Sequence, residues 1–308
     1  MPIVLAGSVA GVESCTGLIV EGARITRLLT PGETPPSGAE VLDFRPHLLA
    51  PGTIDVHTHG GVGCSFSTGP ADDTRAVCRY RASTGCTALL PTITGSWDEL
   101  TAALPKLAAL ASEGGASDGA EVLGIHVEGP FLNPARKGAI DAATMRPPSA
   151  DDLRRLQDAA GGWIKMMTVA PELPGALGVI EEMVRLGIVP SVGHSDATYQ
   201  QVLDAAAAGA RKSTHTYNAM RPLRHRDPGT VGGVLADDRL VAELIADGAH
   251  VHAGAMRVLL KAKGAALTAL ITDGVRYAGL PEGVYERPGR GRLTVAEGAA
   301  VTDDGTIG

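Results

Sequence analysis

Along most of this chain, short apolar runs alternate with longer segments whose apolar residues recur at helical spacing. The runs that read as buried strands are Gly52–Val56, Thr87–Ile93, Val122–Val127, Ile164–Val169, Ile188–Val192, Lys212–Thr214, Val241–Ala246 and Leu267–Thr272. Most are rich in Val, Ile and Leu, as expected of parallel strands covered on both faces. Between them Asp72–Ser83, Trp97–Ser112, Ala150–Ala160, Gly175–Leu186, Tyr199–Ala208 and Ala253–Lys263 read as amphipathic helices. Ser149, three residues before Asp152, is a cap signal for the third. Gly161, Gly187, Gly209 and Gly264 stand where helices stop. Eight such strands alternating with helices predict an α/β chain built as a (β/α)8 TIM-type barrel. A doubly wound parallel sheet is the competing arrangement, which periodicity does not exclude.

The two ends differ from this rhythm. Residues 1–49 read as short β pieces, Gly17–Val20, Arg24–Leu29 and Val41–Phe44, with turn-rich Pro31–Gly38 between the last two. The barrel is expected over 50–273. Residues 274–308 form a Gly- and Pro-punctuated, β-rich tail with Gly291–Val295 and Ala299–Thr302 as its pieces. No helix follows the eighth strand in this reading. The final barrel helix is therefore expected to be missing, by truncation or otherwise, leaving a flank with exposed apolar surface.

Composition narrows the function classes. Of 308 residues, 44 % are hydrophobic and 20 % charged, ordinary for a folded protein and wrong for a disordered one. A net charge of −7 and only 3 % aromatics argue against nucleic-acid binding, which needs clustered positive charge and stacking surfaces. No apolar run approaches a membrane span. The start of the chain lacks a basic region followed by a sustained apolar one. Cys15, Cys64, Cys78 and Cys86 form no CxxC pair. A reduced, cytoplasmic setting follows as the expectation.

Candidate chemistry tracks the strand map. His57 and His59 end the first strand run, Glu128 the third, His194 the fifth, His215 the sixth and Asp273 the eighth. In a parallel barrel those ends open on one face, so residues remote in sequence converge on one mouth. Two histidines spaced by two on an extended chain point the same way and can share an ion. Glu128 closing an apolar strand needs a cation or hydrogen bonds; a salt bridge to Arg136 or Lys137 is the simpler alternative. His194 and His215 taken singly could be packed core histidines. Jointly with Glu128 they make an N/N/O ligand set that leaves a position open for water. Asp273 could cap the following turn or, beside an activated water, carry a proton to a leaving group. Hydrolysis of an amide or related bond is the reaction class that follows. The basic run Arg221, Arg224, His225, Arg226 suits an anionic group such as phosphate, or is a solvated loop. His250 follows the seventh strand and so faces the same mouth.

The stretches PGTIDVHTHG, HVEGPFLNPARKGA, VGHSDAT, THTYNAM, HRDPG, IADGAHVH and ITDG, in this order, resemble the N-acetylglucosamine-6-phosphate deacetylases of the amidohydrolase superfamily. The resemblance covers nearly all of residues 40–305. It implies a divalent metal, one or two ions per chain, with zinc first and iron, manganese or cobalt as alternatives. Glu128, His194 and His215 would bind it, with His57 and His59 holding a second ion or an alternative arrangement. Asp273 would be general base and acid as activated water attacks the acetamide carbonyl and the sugar amine departs. His126 would pack rather than ligate. Ala139, Asn218, Ala219, Arg226 and His250 carry over as sugar and phosphate contacts, in a site completed across a homodimer. The β segment of residues 1–49 would be part of a small β-sandwich. Ile140 departs from the family pattern, which has a His there. Another N-acetylated or cyclic amide substrate, or a truncated, non-catalytic remnant, are the alternatives these departures motivate.

Overall fold

The structure, a computed structural model, describes residues 1–116, 118–287, 291–303, 305 and 307. It divides into two compact units, Met1–Thr53 and Ile54–Gly308. In the first, β1 (Ile3–Val9), β2 (Gly17–Glu21), β3 (Arg24–Leu29) and β4 (Glu40–Leu49) form one sheet in the order β3-β2-β1-β4. Strand β1 pairs antiparallel with β2 and parallel with β4 around a small core of Val4, Ile19 and Leu29. Periodicity misses β1 because Gly7 and Ser8 interrupt its apolar pattern. At Gly7 a Cβ would come within 3.2 Å of the His47 carbonyl, so the close strand approach favours glycine.

The second unit carries the barrel. Its strands are β5 (Thr53–Thr58), β6 (Cys86–Ile93), β7 (Ile125–Glu128), β8 (Ile164–Val169), β9 (Val189–Val192), β10 (Lys212–Ser213), β11 (Val241–Ile245) and β12 (Thr268–Ile271). They run in the order β12-β11-β10-β9-β8-β7-β6-β5. The sheet closes on itself just past its last strand. Thr58 bridges to Gly274 in parallel register, and the Asp273 amide donates to the His57 carbonyl at 2.9 Å. A doubly wound sheet has no such closure; this is a barrel.

Helices α1 (Ala71–Ser83), α2 (Trp97–Ser112), α3 (Ala150–Ala159), α4 (Ala176–Arg185), α5 (Tyr199–Ala208), α6 (Gly229–Ala236) and α7 (Ala253–Lys263) connect the strands. The Ser149 hydroxyl accepts the Asp152 amide, as the cap signal requires, and Gly209 ends α5 with φ +118°. The core fills from Leu89, Ile93, Leu104, Phe131, Leu153 and Leu156, all buried between strands and helices.

Two elements depart from the sequence pattern. The expected strand Val122–Val127 is broken into Glu121–Val122 and β7, because Leu123–Gly124 turns between them. Gly124 sits at φ +151°, and a Cβ there would lie 2.2 Å from the Lys165 side chain. Helix α6 has the sequence GTVGGVLA, whose three glycines conceal it. At Gly233 a Cβ would meet Val202 of α5 at 2.6 Å, so the glycine permits close packing of the two helices.

Among the described residues no helix follows β12. Instead β13 (Gly283–Arg287), β14 (Gly291–Ala296) and β15 (Ala299–Thr302) make an antiparallel meander. On the two strands nearest the closure, Ile54 of β5 and Leu270 of β12 are 54 % and 64 % exposed. No helix among the described residues is long and apolar enough to cross a membrane.

Candidate active site

The C-terminal strand ends carry the polar residues, and a local rule places three of them. His194, His215 and Asp273 each stand two positions beyond the last residue of β9, β10 and β12. All three adopt left-handed backbone, at φ +46°, +30° and +48°. Such conformations are uncommon for non-glycine residues and cost about 1–3 kcal/mol each, so they persist only where the surroundings impose them. Here the turn swings each side chain inward at the strand end. His57 lies on β5, His59 just beyond it, and Glu128 is the last residue of β7.

These six side chains meet. Glu128 Oε1 lies 3.2 Å from His194 Nε2 and 3.0 Å from His215 Nε2, and those two nitrogens are 3.0 Å apart. Glu128 Oε2 lies 3.2 Å from His59 Nε2, while Asp273 Oδ1 is 3.2 Å from both His57 Nε2 and His59 Nε2. Glu128 thus belongs to two donor groups, one with His194 and His215 and one with His57 and His59. The simpler reading of Glu128 fails, since Arg136 pairs with Asp196 and the Lys137 ammonium donates to the Gly138 carbonyl. His126 is satisfied elsewhere, between the Thr92 and Thr168 hydroxyls, and takes no part.

The electrostatics show what the cluster demands. Burial opposes charge on His57, yet Asp273, Glu243 and Glu128 outweigh it and hold the imidazole well above its usual value. Burial likewise opposes charge on His59, but hydrogen bonds from its ring to the Asp273 and Glu128 carboxylates raise it to about 9. His215 is raised against burial by Glu128. Glu128 and Asp273 are held well below the carboxylate range, despite burial, by the surrounding histidines.

Acceptors held this close need either protons or a cation between them, and the ring nitrogens facing inward argue for the cation. His57 Nδ1 is 3.0 Å from a Glu243 carboxylate oxygen and His194 Nδ1 is 2.9 Å from the Arg136 carbonyl. Each of those hydrogen bonds leaves the lone pair on Nε2, aimed at the other acceptors. Opposed nitrogen lone pairs and carboxylate oxygens at about 3 Å are what a divalent cation resolves, with release of the protons. The residues present therefore fit a metal.

Two charged residues in this network escaped the sequence pattern. Glu243 sits mid-strand in β11, fully buried, and Lys212 opens β10; the lysine ammonium meets Glu243 Oε1 at 2.5 Å. A carboxylate inside an otherwise apolar strand (VAELI) is the signal that would have found them.

Beyond the cluster the expected sugar and phosphate contacts are looser. Gly138, next to Ala139, passes so near His194 that a Cβ there would lie 3.2 Å from the ring. The Asn218 side-chain amide donates to the His215 carbonyl at 3.3 Å, and the Ala219 carbonyl accepts the Ser195 amide at 3.1 Å. Asn218 and Ala219 therefore sit against the backbone at His215 and Ser195, and Ala139 follows Gly138 in the chain. His250 Nδ1 pairs with Asp247 at 2.6 Å just beyond β11. Arg226 is exposed in a turn where Arg224 and Asp227 pair through their backbones, and none of the described residues makes an ion pair with its guanidinium. Arg221 from the same basic run is already paired with Asp227.

Barrel, converging strand ends and cation-ready cluster together define a hydrolase of the parallel-barrel class. The chain belongs to the amidohydrolase family, whose profile matches residues 48–281. Within that family its likeness runs to particular enzymes. It is 39 % identical over 290 residues to the N-acetylglucosamine-6-phosphate deacetylase of Bacillus subtilis (strain 168), covering 94 % of this chain and 73 % of that protein. It is 37 % identical over 251 residues to the N-acetylgalactosamine-6-phosphate deacetylase of Escherichia coli O157:H7, covering 81 % of this chain and 66 % of the relative. The crystal structure of the Mycobacterium smegmatis N-acetyl-D-glucosamine-6-phosphate deacetylase superposes at TM-score 0.85 and 33 % identity, over 100 % of this chain and 80 % of that one. A variant of that enzyme in complex with N-acetyl-D-glucosamine-6-phosphate superposes at 0.87.

Proposed function

We propose that this chain hydrolyses the acetamide of N-acetylglucosamine 6-phosphate, releasing acetate and glucosamine 6-phosphate. The observation that carries the reading is the shared Glu128 carboxylate, within 3.2 Å of both His194 and His215, with Asp273 at the same distance from His57 and His59. Glu128, His194 and His215 would hold a divalent cation, and His57 and His59 a second one or a share of the first. The N/O donor set suits zinc and accepts iron, manganese or cobalt. Such a cation polarises an amide carbonyl and makes water nucleophilic at neutral pH.

The chain's own residues supply the rest. Asp273 is held ionised, so it can accept the proton of the attacking water at its carboxylate. It then delivers that proton to the sugar nitrogen as the C–N bond breaks, so the amine leaves neutral. Asn218, Ala219 and Ala139 would orient the sugar. His250 and Arg226 would meet the phosphate, Arg226 as a charge with no partner inside the described chain. The relatives' names support a phosphorylated amino sugar as the substrate class; a homodimer that completes the phosphate site and a cytoplasmic setting are part of this reading.

Ile140, half-buried after Ala139, motivates a second sugar as the substrate, and one relative is named for the galactosamine isomer. The test is acetate release by zinc-loaded protein on N-acetylglucosamine 6-phosphate, N-acetylgalactosamine 6-phosphate, unphosphorylated N-acetylglucosamine and a cyclic amide. Fastest turnover is expected on the first. Preference for an unphosphorylated or cyclic substrate, or a metal-loaded protein that frees no acetate, overturns the proposal.

A further inference from the structure

Glu243 is fully buried in β11, yet its carboxylate is saturated with donors from three parts of the barrel. Oε2 is 3.0 Å from His57 Nδ1 and accepts the His215 backbone amide at 3.0 Å; Oε1 accepts the Lys212 ammonium at 2.5 Å. A charge in such a place is costly unless compensated, and Lys212, itself only 11 % exposed, compensates it. The pair is close to neutral as a unit, so what it gives the site is direction rather than field.

That direction is specific. An ionised carboxylate only accepts, so His57 donates from Nδ1 and presents its lone pair at Nε2, toward His59, Glu128 and Asp273. The same oxygen holds the His215 backbone in its left-handed turn, and His215 Nδ1 is buried with no hydrogen-bond partner among the described residues, so its ring is aimed by the backbone. One buried oxygen therefore sets two imidazoles that approach Glu128 from different strands.

We propose that Glu243, with Lys212 as its counter-ion, is a positioning residue: it fixes His57 as the Nδ1–H tautomer, locks His57 and His215 around Glu128, and thereby sets the affinity for a divalent cation. This rests on Glu128, His57, His59, His194 and His215 being cation ligands, and is independent of the substrate. Outer-sphere partners of this kind typically contribute about ten- to a hundredfold in metal affinity.

Two measurements on the full chain decide it. Chelator competition should show Zn2+ bound about ten- to a hundredfold more weakly by Glu243→Gln, with circular dichroism unchanged. Nitrogen-15 NMR of the zinc-loaded wild type should show His57 protonated at Nδ1, and that proton resonance should move upfield in Glu243→Gln. Zinc affinity within twofold of wild type in the variant, or His57 protonated at Nε2 in the wild type, overturns the proposal. Should Glu243→Gln fail to fold, the wild-type spectrum alone decides. A wild type that holds zinc but frees no acetate refutes the function proposed above and leaves this inference standing; a wild type that binds no divalent ion refutes both.

Discussion

The two halves of the barrel mouth are built differently. On the ligand side, His57, His59, Glu128, His194, His215 and Asp273 interlock at about 3 Å, buried or nearly so, with outer partners at Glu243, Lys212 and the Arg136 carbonyl. On the side proposed to meet the substrate, Ala139 and Arg226 are exposed, the Asn218 side-chain amide makes a long hydrogen bond to the His215 carbonyl, and His250 rests on Asp247. A cation site must exist before substrate arrives, so its geometry is written into strand ends and strained turns. A sugar phosphate can bring its own charge to exposed side chains that have none to pair with, so that half needs less built-in order.

The largest test of this contrast is Glu128→Ala, which removes the one carboxylate common to both donor groups. Metal analysis should find the ion lost, and turnover should drop about a thousandfold or more. Full retention of the ion would show that the two donor groups do not depend on Glu128. Next in size, Asp273→Asn should lower kcat by about 10²–10⁴-fold while the ion stays bound, because it removes the proton carrier and keeps the ligand triad. Unchanged kcat would remove Asp273 from proton transfer.

On the other half, Arg226→Ala should raise KM for the phosphorylated sugar about ten- to a hundredfold, the value of one charge-assisted contact, with kcat nearly unchanged. An equal effect on an unphosphorylated substrate would place Arg226 outside phosphate recognition. The smallest effect concerns pH. Burial pushes Asp247 up, but hydrogen bonds from His250 and from the Ala249 and His250 amides hold it below the ordinary 3.8. A lowered carboxylate stabilises the fold above its unfolded value and loses that contribution as pH falls through the lowered one. His250→Ala should therefore move Asp247 back toward 3.8 and flatten that part of the acid-stability curve. Carbon-13 titration of the carboxyl reads it directly, and an Asp247 that does not move would contradict the pairing.

Much of the ligand half was legible in the sequence because topology did the placing. Once eight apolar runs are read as parallel strands, residues after each run must share a face, and His57, His59, Glu128, His194, His215 and Asp273 follow. Helix ends were equally readable where one residue type fits, as at Ser149 and Gly209. What escaped depended on packing that no periodicity carries. Helix α6 hides behind glycines, of which Gly233 permits contact with α5, and at the break in the strand Gly124 combines positive φ with a close approach to the Lys165 side chain. Glu243 and Lys212 lay inside runs read as plain strand; a carboxylate within VAELI flags Glu243 in the sequence, and the distance to Lys212 then identifies its partner. The sequence pattern held no helix after the eighth strand, and none follows it among the described residues, where Ile54 and Leu270 are exposed.

The most direct test is a crystal structure of the zinc-loaded protein with anomalous scattering recorded at the zinc edge. A peak bonded to Glu128, His194 and His215, with Asp273 facing it, is the predicted result. Zinc bound elsewhere on the chain, or those side chains unchanged around an empty centre at saturating zinc, would contradict the account.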